Sequence, residues 1–228
     1  MKYTWILFDA DNTLFDFTHS QKNALRYTFK EFGLEYHNDL FPIFTQLNNK
    51  IWQAFDENKI THDEIKTERF RFLFNELNIQ NIDLDKFNIR FIDNLVEYSK
   101  LIDDTEQFLL SLAGKVKMAI ITNGMKEVQR PRFNKCKIKN IFDGVFISGE
   151  MGLSKPNKEY FESVHKQTGD LDKSEYLVVG DNIIADVRGG KEYGFETCWY
   201  NPSLLENGQR EFTDFEIQNI NQLKKIIE

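Results

Sequence analysis

Five short apolar runs, at residues 5–8, 117–121, 144–147, 176–179 and 196–199, constrain this chain most. Each is too short to be a helix that buries a full face, and too continuously apolar to be a strand with one wet side. Each therefore predicts a strand covered on both faces, and strands of that kind belong to a parallel sheet with helices above and below it. The segments between the later runs have helical character, as in 158–166 and in 184–193, which Gly194 closes. The pattern is a βαβ series and predicts an α/β fold.

Between the first run and the second the texture changes, and residues 17–100 contain no strand-like run. Leu40, Phe44, Leu47, Ile51 and Phe55 recur at helical spacing, as do Leu84, Phe87, Phe91, Leu95 and Tyr98. Thr61 with Glu64 predicts a capping box ahead of a helix that includes Ile65, Phe72 and Leu77. A first helix over 19–32 is stopped by Gly33. The expected organisation is thus a core of residues 1–16 and 101–228, interrupted after its first strand by an all-helical insert, 17–100, of four or five helices. Phenylalanine is unusually frequent, 21 among 228 residues, and those of the insert read mostly as its own small core. The aromatic stripe could be imagined as a cofactor box, but its clean helical spacing favours core packing.

Charge and cysteine usage exclude other classes. A formal net charge of −7, with no stripe of Lys and Arg, gives no footprint for long nucleic acid. Cys136 and Cys198 have neither CxxC nor zinc spacing and read as reduced thiols, which predicts a cytoplasmic setting. The first apolar stretch ends at Asp9, too early for a signal-peptide core, and no apolar run reaches the ~18 residues a membrane span needs. His19, His37, His62 and His165 match no metal or triad spacing. Nothing in the sequence sets an oligomeric state.

Chemistry is expected where the strands end, because open parallel sheets bind ligands outside their carboxyl ends. The first strand runs into DADNTL and the second into ITNG; the third leads to SKPN and the fourth into GDNIIAD. If the sheet is built this way, Asp9, Asp11, Asp181 and Asp186 converge. Two carboxylates ~4 Å apart repel by about 4 kcal/mol at an effective dielectric of 20, so four ionised acids require a cation. Hard oxygen donors without Cys or His select Mg²⁺, an ion that commonly works with a substrate phosphate. Thr122 offers a hydroxyl, Asn123 and Gly124 backbone donors in a turn, and Lys155 a compact positive charge for a phosphoryl group. Pro156 restricts the backbone of Lys155.

In that order, and with a helical insert after the first, these four strings resemble the signature motifs of the haloacid dehalogenase superfamily of phosphatases with a C1-type cap. ILFDADNTLFDF, SKPNKEYF and CWYN further resemble its pyrimidine 5′-nucleotidase branch. The resemblance implies a Rossmann-like core with an inserted helical cap that closes over the substrate, and a Mg²⁺-dependent phosphomonoesterase acting on a small phosphorylated metabolite, a nucleoside 5′-monophosphate in this branch. By position, Asp9 is similar to the nucleophile that forms an aspartyl-phosphate, and Asp11 to the acid that protonates the leaving alkoxide and then deprotonates water. The metal ligands it implies are Asp9, Asp11 through its backbone carbonyl, Asp181, and Asp186 either directly or through water. Thr122, Asn123, Gly124 and Lys155 would bind the phosphoryl group. Asn12 and Asn182 depart from the residues common at those positions, glycine and a hydroxyl residue, and Asn tolerates turn backbones. Dehalogenases of the superfamily lack the second acid, so Asp11 favours phosphate esters over carbon–halogen bonds. Other readings are a phosphatase of another metabolite such as phosphoglycolate, a sugar phosphomutase, or a binding protein on a spent catalytic core.

Overall fold

The computed structural model describes residues 1–57, 59–206 and 210–228. The chain divides into two compact units, Met1–Asp16 with Leu101–Glu228, and Phe17–Lys100.

The first unit is built on a six-stranded sheet in the order β3-β2-β1-β4-β5-β6. The strands are β1 (Trp5–Phe8), β2 (Lys117–Thr122), β3 (Gly144–Ile147), β4 (Tyr176–Gly180), β5 (Glu196–Tyr200) and β6 (Phe215–Ile217), and every pairing is parallel. Alternate side chains supply two separate cores. Ile6, Phe8, Met118, Ile120, Leu177 and Val179 point to one face, and Trp5, Leu7, Ala119, Ile121, Tyr176 and Val178 to the other. Both sets are buried, which is why these runs show no hydrophilic alternation. Each fully buried large apolar side chain stabilises the sheet by about 1.5–3 kcal/mol.

Helices cover both faces. Phe108, Leu109 and Leu112 of one helix, and Phe133 of another, pack on the Ile6 face with Ile220, Leu223 and Ile227 near the end of the chain. Tyr160, Phe161, Val164 and Tyr193 cover the Leu7 face. Five strands and the α/β class stand as the sequence predicts; β6 is additional. Its three residues carry the exposed Glu216 between Phe215 and Ile217, so its apolar signal is too brief to read, and it sits at the sheet edge beside β5.

The second unit holds α1 (Phe17–Glu31), α2 (Leu40–Asp56), α3 (His62–Glu76) and α4 (Leu84–Glu97), and α2 and α4 follow the predicted periodicities. In α3 Ile65 is buried as expected, but Phe72 is exposed, Leu77 lies just past the helix end, and Phe70, Leu73 and Phe74 supply the inward face. Gly33 ends the first with φ +68°, a conformation glycine adopts without cost. The capping box forms: the Thr61 amide donates to Glu64 Oε2 at 2.7 Å and the Glu64 amide to Thr61 Oγ1 at 3.3 Å. Phe29, Phe44, Phe70, Phe74, Phe87 and Phe91 make a buried aromatic core, with neighbouring rings such as Phe70 and Phe87 4.8 Å apart. Trp52 lies against Phe55 at 5.5 Å, within the packing of this unit.

The remaining helices belong to the first unit: α5 (Thr105–Leu112), α6 (Lys126–Lys135), the short α7 (Ser148–Met151), α8 (Lys158–Gln167), α9 (Gly189–Tyr193) and α10 (Lys224–Ile227). Where the sequence predicts one helix over 184–193, residues Ile183–Arg188 wind as a wide π-type turn before α9 begins. The Val187 amide donates to the Asn182 carbonyl at 3.3 Å, and the Asn182 side chain accepts from the amides of Ile184 and Ala185. The widened turn is local to a strand exit that carries two acids, a place where such turns recur. Among the described residues no helix is long and apolar enough to cross a membrane.

Candidate active site

The strand order reverses at β1, which has β2 on one side and β4 on the other. The carboxyl ends of these three strands therefore lie together, and the connections leaving them diverge. Asp9 leaves β1 with its amide donating to the Val179 carbonyl at 2.8 Å, and Asp181 leaves β4 alongside it. Asp186 returns to the same point from the widened turn. One carboxylate oxygen from each of Asp9, Asp181 and Asp186 lies within 4.8 Å of the others, a group able to hold a metal ion.

Lys155 joins this group from the loop before α8. Its Nζ donates to Asp9 Oδ1 at 2.7 Å, to Asp186 Oδ1 at 2.5 Å and to the Ile121 carbonyl at 2.9 Å, so all three donors are used. The lysine is 2% exposed and Asp186 fully buried. Asn123 fixes the lysine from behind: its Oδ1 accepts from the Lys155 amide at 2.9 Å, and its Nδ2 donates to the Lys155 carbonyl at 2.8 Å. Thr122 closes β2, and its hydroxyl accepts from the Gly124 amide at 3.0 Å. Asn123 and Gly124, read in the sequence as donors to an anion, thus also brace Lys155 and Thr122.

Glycine and asparagine make these approaches possible. A Cβ at Gly180 would collide with Asp186, so the bare backbone lets that carboxylate lie against the strand end. Asn12 has φ +59°, within the left-handed region that asparagine tolerates. Asp181 is braced by Thr13, whose Oγ1 accepts from its amide at 3.0 Å, and by Trp199, whose Nε1 donates to its carbonyl at 2.9 Å.

Burial and crowding decide the electrostatics. Burial, reinforced by Asp186 and Asp11 and opposed by Lys155, pushes Asp9 up to about 7. Burial together with Asp9 and Asp186 holds Asp181 well above the usual carboxylate range. Burial alone would lower Lys155, but Asp186 and Asp9 beside it raise it on balance. One lysine does not neutralise three clustered acids, and a further cation would lower the energy of all of them.

Asp11 faces elsewhere. Its side chain stands apart from the three clustered carboxylates, with Oδ1 accepting from Arg132 Nη1 at 2.7 Å and Oδ2 from Gln129 Nε2 at 2.7 Å. Neither Gln129 nor Arg132 is marked by the strand-end motifs. The one available signal is their spacing of three on α6, which sets two polar side chains on one helix face.

Residues 6–200 match the family described as haloacid dehalogenase-like hydrolase. The chain belongs to that family of hydrolases, and its Rossmann-like parallel sheet is the fold of its structural neighbours. It is 31% identical to the HAD-hydrolase YfnB of Bacillus subtilis (strain 168), over 99% of this chain and 96% of that one. It is 30% identical to the pyrimidine 5′-nucleotidase YjjG of Escherichia coli (strain K12), over 100% and 99% of the two chains. With the pyrimidine 5′-nucleotidase PynA of Streptococcus pneumoniae it shares 29% identity, over 98% and 94%. The crystal structure of YfnB bound to magnesium superposes with a TM-score of 0.93 at 30% identity, covering 100% of both chains.

Proposed function

We propose that this hydrolase is a Mg²⁺-dependent phosphomonoesterase acting on nucleoside 5′-monophosphates, pyrimidine nucleotides foremost, through an aspartyl-phosphate on Asp9. One observation carries the reading: three carboxylates within 4.8 Å of one another where the central strands end, two of them bonded to a buried lysine. The near full-length similarity to YjjG and PynA supports the substrate class.

The donor set fits Mg²⁺. It offers hard carboxylate oxygens with no thiolate or imidazole, and burial with mutual crowding holds Asp9 and Asp181 above their ordinary range, which a bound cation would relieve. Asp9, Asp181 and Asp186 would hold the ion, together with the backbone carbonyl of Asp11. When bound, Mg²⁺ supplies positive charge against the phosphoryl oxygens and between the acids.

The remaining chemistry belongs to the chain's own groups. Asp9 has one oxygen committed to Lys155. Its other oxygen attacks phosphorus as the bond from phosphorus to the ester oxygen breaks. Asp11 gives its proton to the departing alkoxide. It then takes a proton from water, whose oxygen attacks phosphorus, breaks the bond to Asp9 and frees inorganic phosphate. The Thr122 hydroxyl would donate to the other phosphoryl oxygens, and the Lys155 ammonium, whose donors are committed within the protein, stabilises their charge through its field.

A panel of phosphorylated metabolites assayed for released phosphate, with and without EDTA, tests this. The expected result is the highest kcat/KM on pyrimidine nucleoside 5′-monophosphates, lost in EDTA and restored by excess Mg²⁺. Absence of hydrolysis on every ester, or hydrolysis indifferent to EDTA, would remove the reading. A higher kcat/KM on phosphoglycolate, or isomerisation of a sugar phosphate, would keep the chemistry and change the substrate.

A further inference from the structure

The strand-end motifs leave two buried polar side chains of α6 without a role. Gln129 and Arg132 are 1% and 2% exposed. The guanidinium lies 4.0 Å from the centroid of the Phe15 ring, and its Nε has no hydrogen-bond partner among the described residues. Asp11 is the carboxylate that pairs with it among the described residues. Burying a guanidinium carries a large desolvation cost, and an apolar pair at 129 and 132 would anchor α6 to the sheet without it. The arrangement therefore serves the carboxylate.

The contacts form a closed ring. Arg132 Nη1 donates to Asp11 Oδ1 at 2.7 Å, Gln129 Nε2 to Asp11 Oδ2 at 2.7 Å, and Arg132 Nη2 to Gln129 Oε1 at 2.6 Å. With a separate donor on each oxygen, the carboxylate cannot turn about its own axis without losing a charge-assisted bond. Its side chain is still 23% exposed, so a lone pair stays open to carry the proton that Asp11 delivers and later recovers from water. Gly124 belongs to the same device, because a Cβ there would occupy the position of Gln129 Nε2. Phe15 closes the other side, as the Asn12 amide donates to its carbonyl at 2.7 Å and its ring lies edge-on to Phe133.

We propose that Gln129 and Arg132 are positioning residues which aim the Asp11 carboxylate at the ester oxygen leaving phosphorus. This rests on the phosphomonoesterase reading above. A misaimed acid matters when the leaving group needs a proton and matters little when it does not. An alkoxide from a nucleoside needs one, and p-nitrophenolate does not.

The test compares kcat/KM on a nucleoside 5′-monophosphate and on p-nitrophenyl phosphate, each at saturating Mg²⁺, for the wild type, Arg132→Met, Gln129→Met and Arg132→Lys. Both methionine variants are expected to lose about 10²-fold on the nucleotide and only about threefold on the aryl ester, the contrast general-acid catalysis sets. Arg132→Lys should recover part of the nucleotide activity, because a cation again faces Asp11. Should Arg132→Met fail to fold, Gln129→Met carries the comparison, with its Mg²⁺-induced rise in melting temperature matching wild type as the check on the metal site. Equal losses on both esters, or no loss on either, would overturn the assignment while leaving the phosphatase reading in place. A wild-type enzyme inactive on both esters would remove the phosphatase reading and this assignment together.

Discussion

Asp9→Asn is expected to abolish turnover, lowering kcat/KM by about 10⁴-fold or more, the scale on which loss of a covalent nucleophile costs an enzyme. The substitution keeps the shape of the side chain and an oxygen that can still accept from Lys155 Nζ, which lies 2.7 Å from Asp9 Oδ1. It removes the anionic oxygen that would attack phosphorus. The fold should survive, because the variant carries one fewer acid in a cluster where burial and neighbouring acids already push Asp9 up to about 7. A melting temperature at or above wild type in EDTA, together with lost phosphate release, is the expected pair of results. Retained hydrolysis would take the nucleophile role away from Asp9.

Lys155→Met is expected to have the largest effect on stability. Methionine matches much of the apolar stem but leaves Asp9 and Asp186 facing each other with no ammonium between them. Removing one partner from a buried ion pair costs about 3–5 kcal/mol, since the remaining charge stays buried and unpaired. Urea denaturation in EDTA should show that loss, and Mg²⁺ should restore part of it because an ion that binds only the folded state stabilises it by mass action. Activity should fall as well, because the positive charge beside Asp9 that offsets its repulsion of the phosphoryl group is lost. A variant as stable as wild type in EDTA would mean that the lysine is not what holds these acids together.

Much of this was legible in the chain before any coordinates. Runs buried on both faces, such as 176–179, have no polar residue to disguise them, so five strands and the class of fold are readable. The phenylalanine periodicity of α2 and α4 is equally plain, since each helix turns one apolar stripe inward. The convergence of Asp9, Asp181, Asp186 and Lys155 follows from the rule that parallel strands gather their ends on one rim. What escaped depends on single side chains rather than on period. Glu216 hides the edge strand β6, and the Asn182 cap with the buried Asp186 widens a turn that periodicity reads as plain helix. The clamp on Asp11 escaped for a further reason: Gln129 and Arg132 are residue types that usually face water, and only packing reveals that α6 turns them inward.

The most direct test is to trap the phosphoryl group in mid-reaction. The wild-type enzyme with Mg²⁺ is mixed with a pyrimidine nucleoside 5′-monophosphate carrying labelled phosphorus, quenched in acid within milliseconds, and treated with borohydride to reduce any acyl phosphate. The expected result is label on the protein before reduction, and homoserine in place of Asp9 after it, with neither seen in Asp9→Asn. Rapid hydrolysis with no labelled protein at any quench time, or reduction at an aspartate other than Asp9, would contradict it.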